Sequence, residues 1–307
     1  MAFTLKQLHY FVAAAESGSV KQAAAMIPIS QPSVSAAISQ LEQELDVQLF
    51  LRHHAQGLSL TRAGRRLLRE ARHLLTQANN LYDVAKEISD GVQGSLNVGC
   101  FVTLAPMIMP ELLHTFTKQY GNARLSLVEG DHESILGGLR KAEIEIALSY
   151  DLQLPEDIAF EPLVSLKPQV LLSPDHPLSG KASLSIAEMG EEPMILLDLP
   201  YSREYFLSLF YQAGITPNIH SRSASQEVVR TMVANGYGFT LANVRPKSMQ
   251  ALDGKKLVAV PLKGRLRSMV IGLISVLQDR KSRLLSAFEA HCRQNIGSSG
   301  IPGMDLG

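Results

Sequence analysis

The stretch VKQAAAMIPISQPSVSAAISQLE, residues 20–42, decides how the N-terminal part of this chain folds, because it has the pattern of two short helices with a tight break between them. Ala23 and Ala24 give the first helix side chains small enough for a close helix crossing. Ser30 is a typical N-cap residue, and Pro32 lies near the first helical position, where its missing N–H has no cost. The break therefore predicts a second helix that begins after Ser30.

The second predicted helix has two contrasting faces. Apolar residues at spacings of four, three and four predict one buried stripe. They are Val34, Ile38, Leu41 and Leu45. The opposite face carries small or uncharged side chains that can form hydrogen bonds. These are Ser33, Ser35, Ala36, Ser39 and Gln40. A face without bulky or acidic groups can approach base edges in a DNA major groove.

Further motifs flank these helices at fixed spacing. They are Leu8-x-x-Phe11, Gly18-Ser19, Ala23-Ala24, Ser30-Gln31-Pro32-x-x-Ser35, Ile38-x-x-Leu41-Glu42, Leu49-Phe50-x-Arg52 and Leu60-Thr61-x-Ala63-Gly64. With these motifs the chain resembles the LysR-type transcriptional regulators, and the resemblance extends to about residue 296. Two positions depart from it, since many members have Arg in place of Ala36 and Gly in place of Asp46. A methyl contact from Ala36 to thymine is a substitute for the arginine contact.

The resemblance implies a winged helix-turn-helix over residues 1–61 that binds double-stranded promoter DNA. The expected residues on the recognition helix are Ser30, Gln31, Pro32, Ser33, Ser35, Ala36 and Gln40. Basic residues cluster around the wing and the next helix, where phosphates would lie. The expected phosphate contacts are Arg52, His53, Arg62 and Arg65. A solvated surface is the alternative for this cluster, because residues 1–90 contain nine basic and eight acidic side chains.

A long helix is predicted over residues 62–90, which contain no proline and have Gly64 as their one glycine. Aliphatic and alanine residues alternate at spacings of four and three, which is the seam of a coiled coil. They are Leu67, Ala71, Leu74, Ala78, Leu81, Ala85 and Ile88. We expect this seam to pair two subunits, as the linker helix of the family does; packing on its own chain is the alternative. A dimer would present two recognition helices to two half-sites.

Residues 91–296 alternate between strand-like and helix-like segments, which indicates an α/β fold with mainly parallel sheets. Two groups of segments predict two subdomains, about 91–164 with 265–296 and about 165–264. The chain is expected to cross between them near Ser165 and to return near Lys263. This part resembles the periplasmic-binding-protein-like effector domain of the LysR family. The last segment, 297–307, is expected to be a flexible tail.

Ligands of open parallel sheets bind beyond the carboxyl ends of the strands, so the strand ends predict an effector site. The candidate residues are Cys100, Thr103, Glu129, Gly130, Tyr150, Ser202, Arg203, Asn243 and Arg245. Thr103 and Ser202 each come just before a helix, whose N-terminus suits a carboxylate or similar anion, and they are also candidate N-caps. Cys100 is a candidate redox sensor, although a buried structural cysteine is the more common case.

The composition of the chain argues against a membrane protein, a secreted protein and an enzyme. The chain has 307 residues, of which 46% are hydrophobic, but no apolar run long enough for a membrane span. Two cysteines and an N-terminus without the pattern of a secretory signal are consistent with a reducing cytoplasm. Neither metal-ligand spacing nor a catalytic constellation is found among the residues, so we expect no enzyme activity and no cofactor.

Three functions remain as hypotheses. The first is a homodimeric or homotetrameric transcription regulator that binds promoter DNA, a small effector and the transcription machinery. The second is a solute-binding protein of a transporter, which the C-terminal two-thirds alone would suit. The third is an α/β enzyme.

Overall fold

A computed structural model describes residues 3–53, 57–90, 92–277 and 281–305, with side chains described for all of these except 52, 53 and 79–90. The chain forms two compact units. The N-terminal unit comprises Met1–Gly91 and Arg140–Glu143, and the C-terminal unit comprises Val92–Leu139 and Ile144–Gly307. No helix in these described ranges is both long and apolar enough to span a membrane.

The N-terminal unit has the predicted helix pair and a two-stranded wing. Its elements are α1 (Leu5–Ser17), α2 (Val20–Met26), α3 (Gln31–Leu45), β1 (Phe50–His53), β2 (Gly57–Leu60) and α4 (Arg62–Asp90). Ser30 is the N-cap of α3 as predicted, because its hydroxyl accepts a hydrogen bond from the Ser33 amide at 3.3 Å. Asp46 ends α3 in the left-handed conformation, with φ of 50°. The position that is often glycine in the family therefore keeps a glycine-like backbone here.

The buried stripe of α3 is confirmed. Val34, Ile38 and Leu41 are buried in a core that α1 and the wing complete. Phe11 of α1 and Phe50 of β1 meet edge to face in this core, with ring centroids 5.4 Å apart. Burial of one face of α3 leaves its opposite face to solvent.

The first part of α4 packs on its own chain. Ala71 is 2% exposed because it belongs to the core of the N-terminal unit, and Leu67 contacts the same core. Ala71 therefore has almost no surface left for a partner, and the pairing of two subunits through this helix stays a prediction. Leu74 is 39% exposed and Ala78 is partly buried. The other predicted seam residues, Leu81, Ala85 and Ile88, lie outside the described side chains.

The C-terminal unit alternates strands and helices. Its helices are α5 (Ala105–Gln119), α6 (His132–Arg140), α7 (Ser202–Tyr211), α8 (Gln226–Ala234) and α9 (Arg283–Asn295), with a short 3-10 helix at Ile186–Met189. Its strands are β3 (Gly94–Phe101), β4 (Ala123–Gly130), β5 (Ile146–Tyr150), β6 (Ile158–Leu166), β7 (Gln169–Leu172), β8 (Met194–Leu197), β9 (Ile219–Ser223), β10 (Thr240–Ala242), β11 (Val258–Pro261) and β12 (Met269–Val276).

The first sheet has the strand order β4-β3-β5-β12-β6. Strands β3, β4 and β5 are parallel, whereas β12 runs antiparallel to β5 and β6. No strand was predicted at β6, which contains Pro162, a residue without an N–H for a sheet hydrogen bond. The structure accommodates this proline at the edge of the sheet, beside a bulge where the register skips Leu163.

The second sheet is mostly antiparallel, so the expectation of mainly parallel sheets is corrected. Strand β7 pairs antiparallel with both β10 and β11, and β8 pairs parallel with β9. A parallel bridge between Met194 and Phe239 joins the two groups. The chain passes from the first sheet to the second between Leu166 and Gln169, and it returns between Pro261 and Met269.

The described part of the expected tail is ordered. Ile301 and Met304 are buried. The Asp305 amide donates to the Arg245 carbonyl at 2.8 Å, and the Lys247 amide donates to the Gly303 carbonyl at 3.0 Å. The expectation of a flexible tail is therefore wrong for residues 297–305, because two apolar side chains in a polar stretch are enough to attach it.

Candidate DNA-contact surface and effector cavity

The solvent face of α3 presents most of the predicted recognition residues together. Ser35 is partly buried, and the other six are exposed. The exposed residues are Ser30, Gln31, Pro32, Ser33, Ala36 and Gln40. The Gln40 side-chain amide donates to Glu44 Oε1 at 3.0 Å, whereas Gln31 stands in the first turn, which contains no acidic residue. An N-terminal turn without negative charge suits the approach of a phosphate.

The basic residues at the start of α4 are a second candidate for DNA contact. Arg62 and Arg65 are exposed, and Arg65 Nη1 donates to the Leu60 carbonyl at 2.8 Å. That contact holds the guanidinium of Arg65 beside strand β2 of the wing. Arg52 and His53 lie on β1, and their side chains are outside the described ones.

Glu42 attaches the wing to the recognition helix. Its Oε1 accepts hydrogen bonds from the backbone amides of Leu49 at 2.7 Å and Phe50 at 3.1 Å. Thr61 completes the attachment, because its hydroxyl donates to the Gln48 carbonyl and accepts from the Gly64 amide, both at 2.8 Å. The motifs contained both residues, but spacing alone assigned neither of them a role. The hydrogen bonds of the Glu42 and Thr61 side chains therefore set the position of the wing relative to α3.

Replacing Glu42 with alanine should destabilise the N-terminal unit by about 2 kcal/mol, because two partly buried backbone amides lose their acceptor. Glu42→Gln keeps one acceptor oxygen and should lose less than half as much. Chemical denaturation of both variants, followed by helix content, measures the difference. Equal losses for the two variants would show that the charge of Glu42, and not its position as an acceptor, is what matters.

A small cavity lies between the two sheets of the C-terminal unit, with a volume of about 30 Å³. That volume holds one or two water molecules. Apolar side chains form most of its wall, together with Tyr150. The polar residues of the wall are Thr103, Ser202, Gln226, Arg230, Thr240 and Asn243.

Four of the nine predicted effector residues line this cavity, namely Thr103, Tyr150, Ser202 and Asn243. Neither Thr103 nor Ser202 is an N-cap, because α5 and α7 begin after Leu104 and Tyr201 without a side-chain cap hydrogen bond. Tyr150 and Thr103 approach each other, with their hydroxyl oxygens 3.4 Å apart. Burial raises the pKa of Tyr150, so its hydroxyl stays protonated.

The other predicted effector residues do not line the cavity. They are Cys100, Glu129, Gly130, Arg203 and Arg245. Arg203 is paired with Asp198 and Glu204 instead. Cys100 is fully buried, and burial, followed by the charge of Glu129, raises its thiol pKa well above the ordinary value. A protonated, inaccessible thiol favours the structural interpretation of Cys100 over a redox sensor.

Arg230 and Thr240 line the cavity although the sequence did not point to them. Arg230 is buried, and its Nη2 donates to the carbonyls of Ser248 at 3.2 Å and Gln250 at 3.1 Å. Arg230 lies on the buried face of α8 with Val229 and Val233. The helical spacing of these apolar residues was the sequence signal that could have predicted its burial. Within the described residues, no group of three or more His, Cys, Asp or Glu side chains could hold a metal ion.

Comparisons with known proteins agree with this arrangement. Residues 5–65 match the family model described as a bacterial regulatory helix-turn-helix protein of the lysR family, and residues 89–297 match the LysR substrate binding domain. The chain is 37% identical to HinK, a LysR family transcriptional regulator from Pseudomonas aeruginosa, over 96% of this chain and 99% of that one, with a TM-score of 0.65.

Two further relatives are transcriptional regulators by name. The HTH-type transcriptional regulator YvbU of Bacillus subtilis is 33% identical over 69% of this chain and 72% of that protein. The HTH-type transcriptional regulator CysB of Haemophilus influenzae is 30% identical over 76% of this chain and 73% of its own length. The two family models together cover nearly the whole chain, from the capped helices of the N-terminal unit to the two-sheet C-terminal unit. The chain therefore belongs to the LysR family of DNA-binding transcriptional regulators, which combine a helix-turn-helix with an effector-binding domain.

Proposed function

We propose that this protein recognises promoter DNA with α3, and that its binding to that DNA changes when a small molecule enters the cavity of the C-terminal unit. The observation that carries the proposal is the solvent face of α3, which is uncharged; the exposed arginines at the start of α4 support it. The protein acts by binding rather than by catalysis, and it acts in the cytoplasm, where a bacterial-type regulator meets promoter DNA. The alternative, a ligand carrier without a DNA role, does not account for the helix-turn-helix of residues 5–65.

The two kinds of DNA contact have separate roles in this proposal. The first turn of α3, with Gln31 and Ser33, reads base edges, and Ala36 offers a methyl contact to thymine. Arg62 and Arg65, together with Arg52 and His53, contact phosphates and supply most of the affinity. Because α3 itself carries no positive charge on this face, affinity depends on the flanking arginines.

The effector acts through the geometry of an oligomer. Two subunits pair through the part of α4 beyond Ala71, beginning at the exposed Leu74. An effector that binds one arrangement of the C-terminal unit better than another shifts the population of dimers or tetramers. The spacing of the two recognition helices then changes, and with it the contact that the regulator makes with the transcription machinery.

Replacing Gln31 with alanine should weaken binding to a preferred DNA sequence by about 1–3 kcal/mol, because a base contact is lost. The DNA is a duplex selected by this protein from a random-sequence pool, and gel retardation is measured at two salt concentrations. The wild-type affinity should fall at least roughly tenfold between about 50 and 200 mM salt, as phosphate contacts require.

The matched control is Gln43→Ala, which removes the same side chain from an exposed position three turns further along α3. It should leave both affinity and sequence preference unchanged. If no sequence is enriched from the pool and no duplex is retarded at low salt, the proposed DNA role fails. Unchanged preference in Gln31→Ala would remove Gln31 from the base-reading set.

A further inference from the structure

The C-terminal segment, residues 297–305, follows α9 and folds back onto the C-terminal unit. The backbones of Gly297 and Gly300 exchange hydrogen bonds at 3.0 and 3.1 Å, which makes a tight turn. The Met304 amide then donates to the Ile301 carbonyl at 3.2 Å. Both Ile301 and Met304 are buried in the main core of the unit. Apolar burial therefore fixes the segment in addition to its own turns.

The C-terminal segment is attached to the second sheet through the loop that follows β10. The Lys247 amide donates to the Gly303 carbonyl at 3.0 Å. The Asp305 amide donates to the Arg245 carbonyl at 2.8 Å. The cavity-wall residue Asn243 lies two positions before Arg245. The segment thus pairs with the chain that leaves one wall of the cavity.

The same segment also lies against α5, which packs on strands β3 and β4 of the first sheet. Gly303 has φ of 69°, and a methyl group there would lie 2.4 Å from the Met107 carbonyl oxygen. Met107 is in the first turn of α5, and the cavity-wall residue Thr103 lies just before that helix. The C-terminal segment therefore contacts the chain next to both walls of the cavity.

The size of the cavity gives these two attachments a consequence. Its volume of about 30 Å³ holds one or two water molecules, so a larger molecule enters only when the two walls move apart. The C-terminal segment is attached on both sides, so such a movement must break its contacts either with α5 or with the loop at residues 245–247. The hydrogen bonds and the close packing of the segment oppose that movement.

We propose that the C-terminal segment is a strap that holds the cavity closed, and that a ligand enters when the strap releases one of its two attachments. This inference rests on the proposed function only in identifying the ligand with the effector. The strap joins the two sheets in addition to the two crossings of the chain, which lie between Leu166 and Gln169 and between Pro261 and Met269. It thereby sets how often the closed unit opens.

Thiol labelling of the full-length protein measures this opening. Ser202→Cys places a thiol in the cavity wall at a position that is 3% exposed, so iodoacetamide reaches it only in opened molecules. Gly303→Ala, added to this variant, should release the strap, because the methyl group has no room beside Met107. The labelling rate at position 202 should rise roughly tenfold, the factor expected when about two backbone hydrogen bonds no longer oppose opening.

The matched control is Gly300→Ala in the same segment. Apart from its two chain neighbours, no atom of the described residues lies within 4 Å of the added methyl group, so the labelling rate should not change. The buried thiols of Cys100 and Cys292 report wider unfolding of the unit. Their labelling should accelerate less than labelling at position 202 in Gly303→Ala.

Lys247→Pro tests the second attachment, because proline has no N–H to donate to the Gly303 carbonyl. Labelling at position 202 should accelerate roughly three- to tenfold, as the loss of one hydrogen bond predicts. Lys247→Ala keeps the backbone amide and should leave the rate unchanged.

An unchanged labelling rate at position 202 in either Gly303→Ala or Lys247→Pro would overturn the proposal. Equal acceleration at Cys100 and Cys292 would also overturn it, because the segment would then stabilise the whole unit and not the closed cavity. Gel retardation with the unlabelled wild-type protein separates this result from the DNA role. Retained sequence-specific retardation without accelerated labelling rejects the strap and leaves the regulator standing.

Discussion

Gly64→Ala should abolish DNA binding and destabilise the N-terminal unit by about 3 kcal/mol, while the C-terminal unit stays folded. A methyl group at this position would lie 2.1 Å from the Leu49 carbonyl oxygen. That oxygen already accepts the Thr61 amide at 3.0 Å. The first turn of α4 would have to move away from the wing, and the hydrogen bonds of Thr61 would be lost with it.

Calorimetry of the full-length variant, together with gel retardation, measures both parts of this result. The matched control is Gly137→Ala, another glycine inside a helix. Apart from its chain neighbours and its own helix backbone, no atom of the described residues lies within 4 Å of the added methyl group. Because alanine favours helix more than glycine does, the control should be neutral or more stable by about 0.5–1 kcal/mol. Wild-type DNA affinity in Gly64→Ala would contradict the close packing of α4 on the wing.

Gly238→Ala should have the second large effect, a loss of about 3 kcal/mol in the C-terminal unit, with DNA-binding residues untouched. Gly238 has φ of 144°, which side chains rarely adopt, and its methyl group would lie 1.9 Å from the Pro193 carbonyl oxygen. That oxygen accepts the Phe239 amide at 2.9 Å, and the Phe239 carbonyl accepts the Ile195 amide at 2.7 Å. These bonds join the two halves of the second sheet.

The consequence for function follows from the position of Gly238, because Thr240 of the cavity wall comes two residues later. A shift of this segment should displace Thr240 and so change the shape of the cavity wall. Gly236→Ala is the control. Gly236 has φ of 81°, but in the part of the chain that the structure describes no atom beyond its two chain neighbours lies within 4 Å of the added methyl group. It should cost about 1–2 kcal/mol from backbone strain alone. Equal losses of stability in the two variants would mean that backbone strain, and not the contact with Pro193, is the reason for glycine at position 238.

The helix-turn-helix was predictable because its signals are local. The cap at Ser30 acts on an amide three residues away, and the stripe of Val34, Ile38 and Leu41 repeats within one helix. Glu42 shows the limit of this reasoning. Its residue type was visible, but its hydrogen bonds to Leu49 and Phe50 exist only because the wing folds back against α3.

The wall of the cavity in the C-terminal unit was only half predictable for the same reason. Strand ends pointed to Thr103 and Asn243, which line the cavity, because the ends of neighbouring strands meet at one edge of a sheet. The same rule also selected Arg203, which pairs with Asp198, and it missed Thr240, which stands at the start of its strand. Which residues line the cavity depends on the strand order of the second sheet. In that sheet β7 lies between β10 and β11, which are distant from it in sequence.

The amino-acid sequence alone indicated the family through its motifs. It also predicted the capped recognition helix and its uncharged solvent face, since caps and helical periodicity act over three or four residues. Folding in three dimensions settled which side chains share a surface. It placed Ala71 in the core of its own unit, Pro162 at a sheet edge and residues 297–305 against Arg245 and Lys247. These contacts join segments far apart in the chain, and short-range patterns carry no information about the partner that a distant segment will meet.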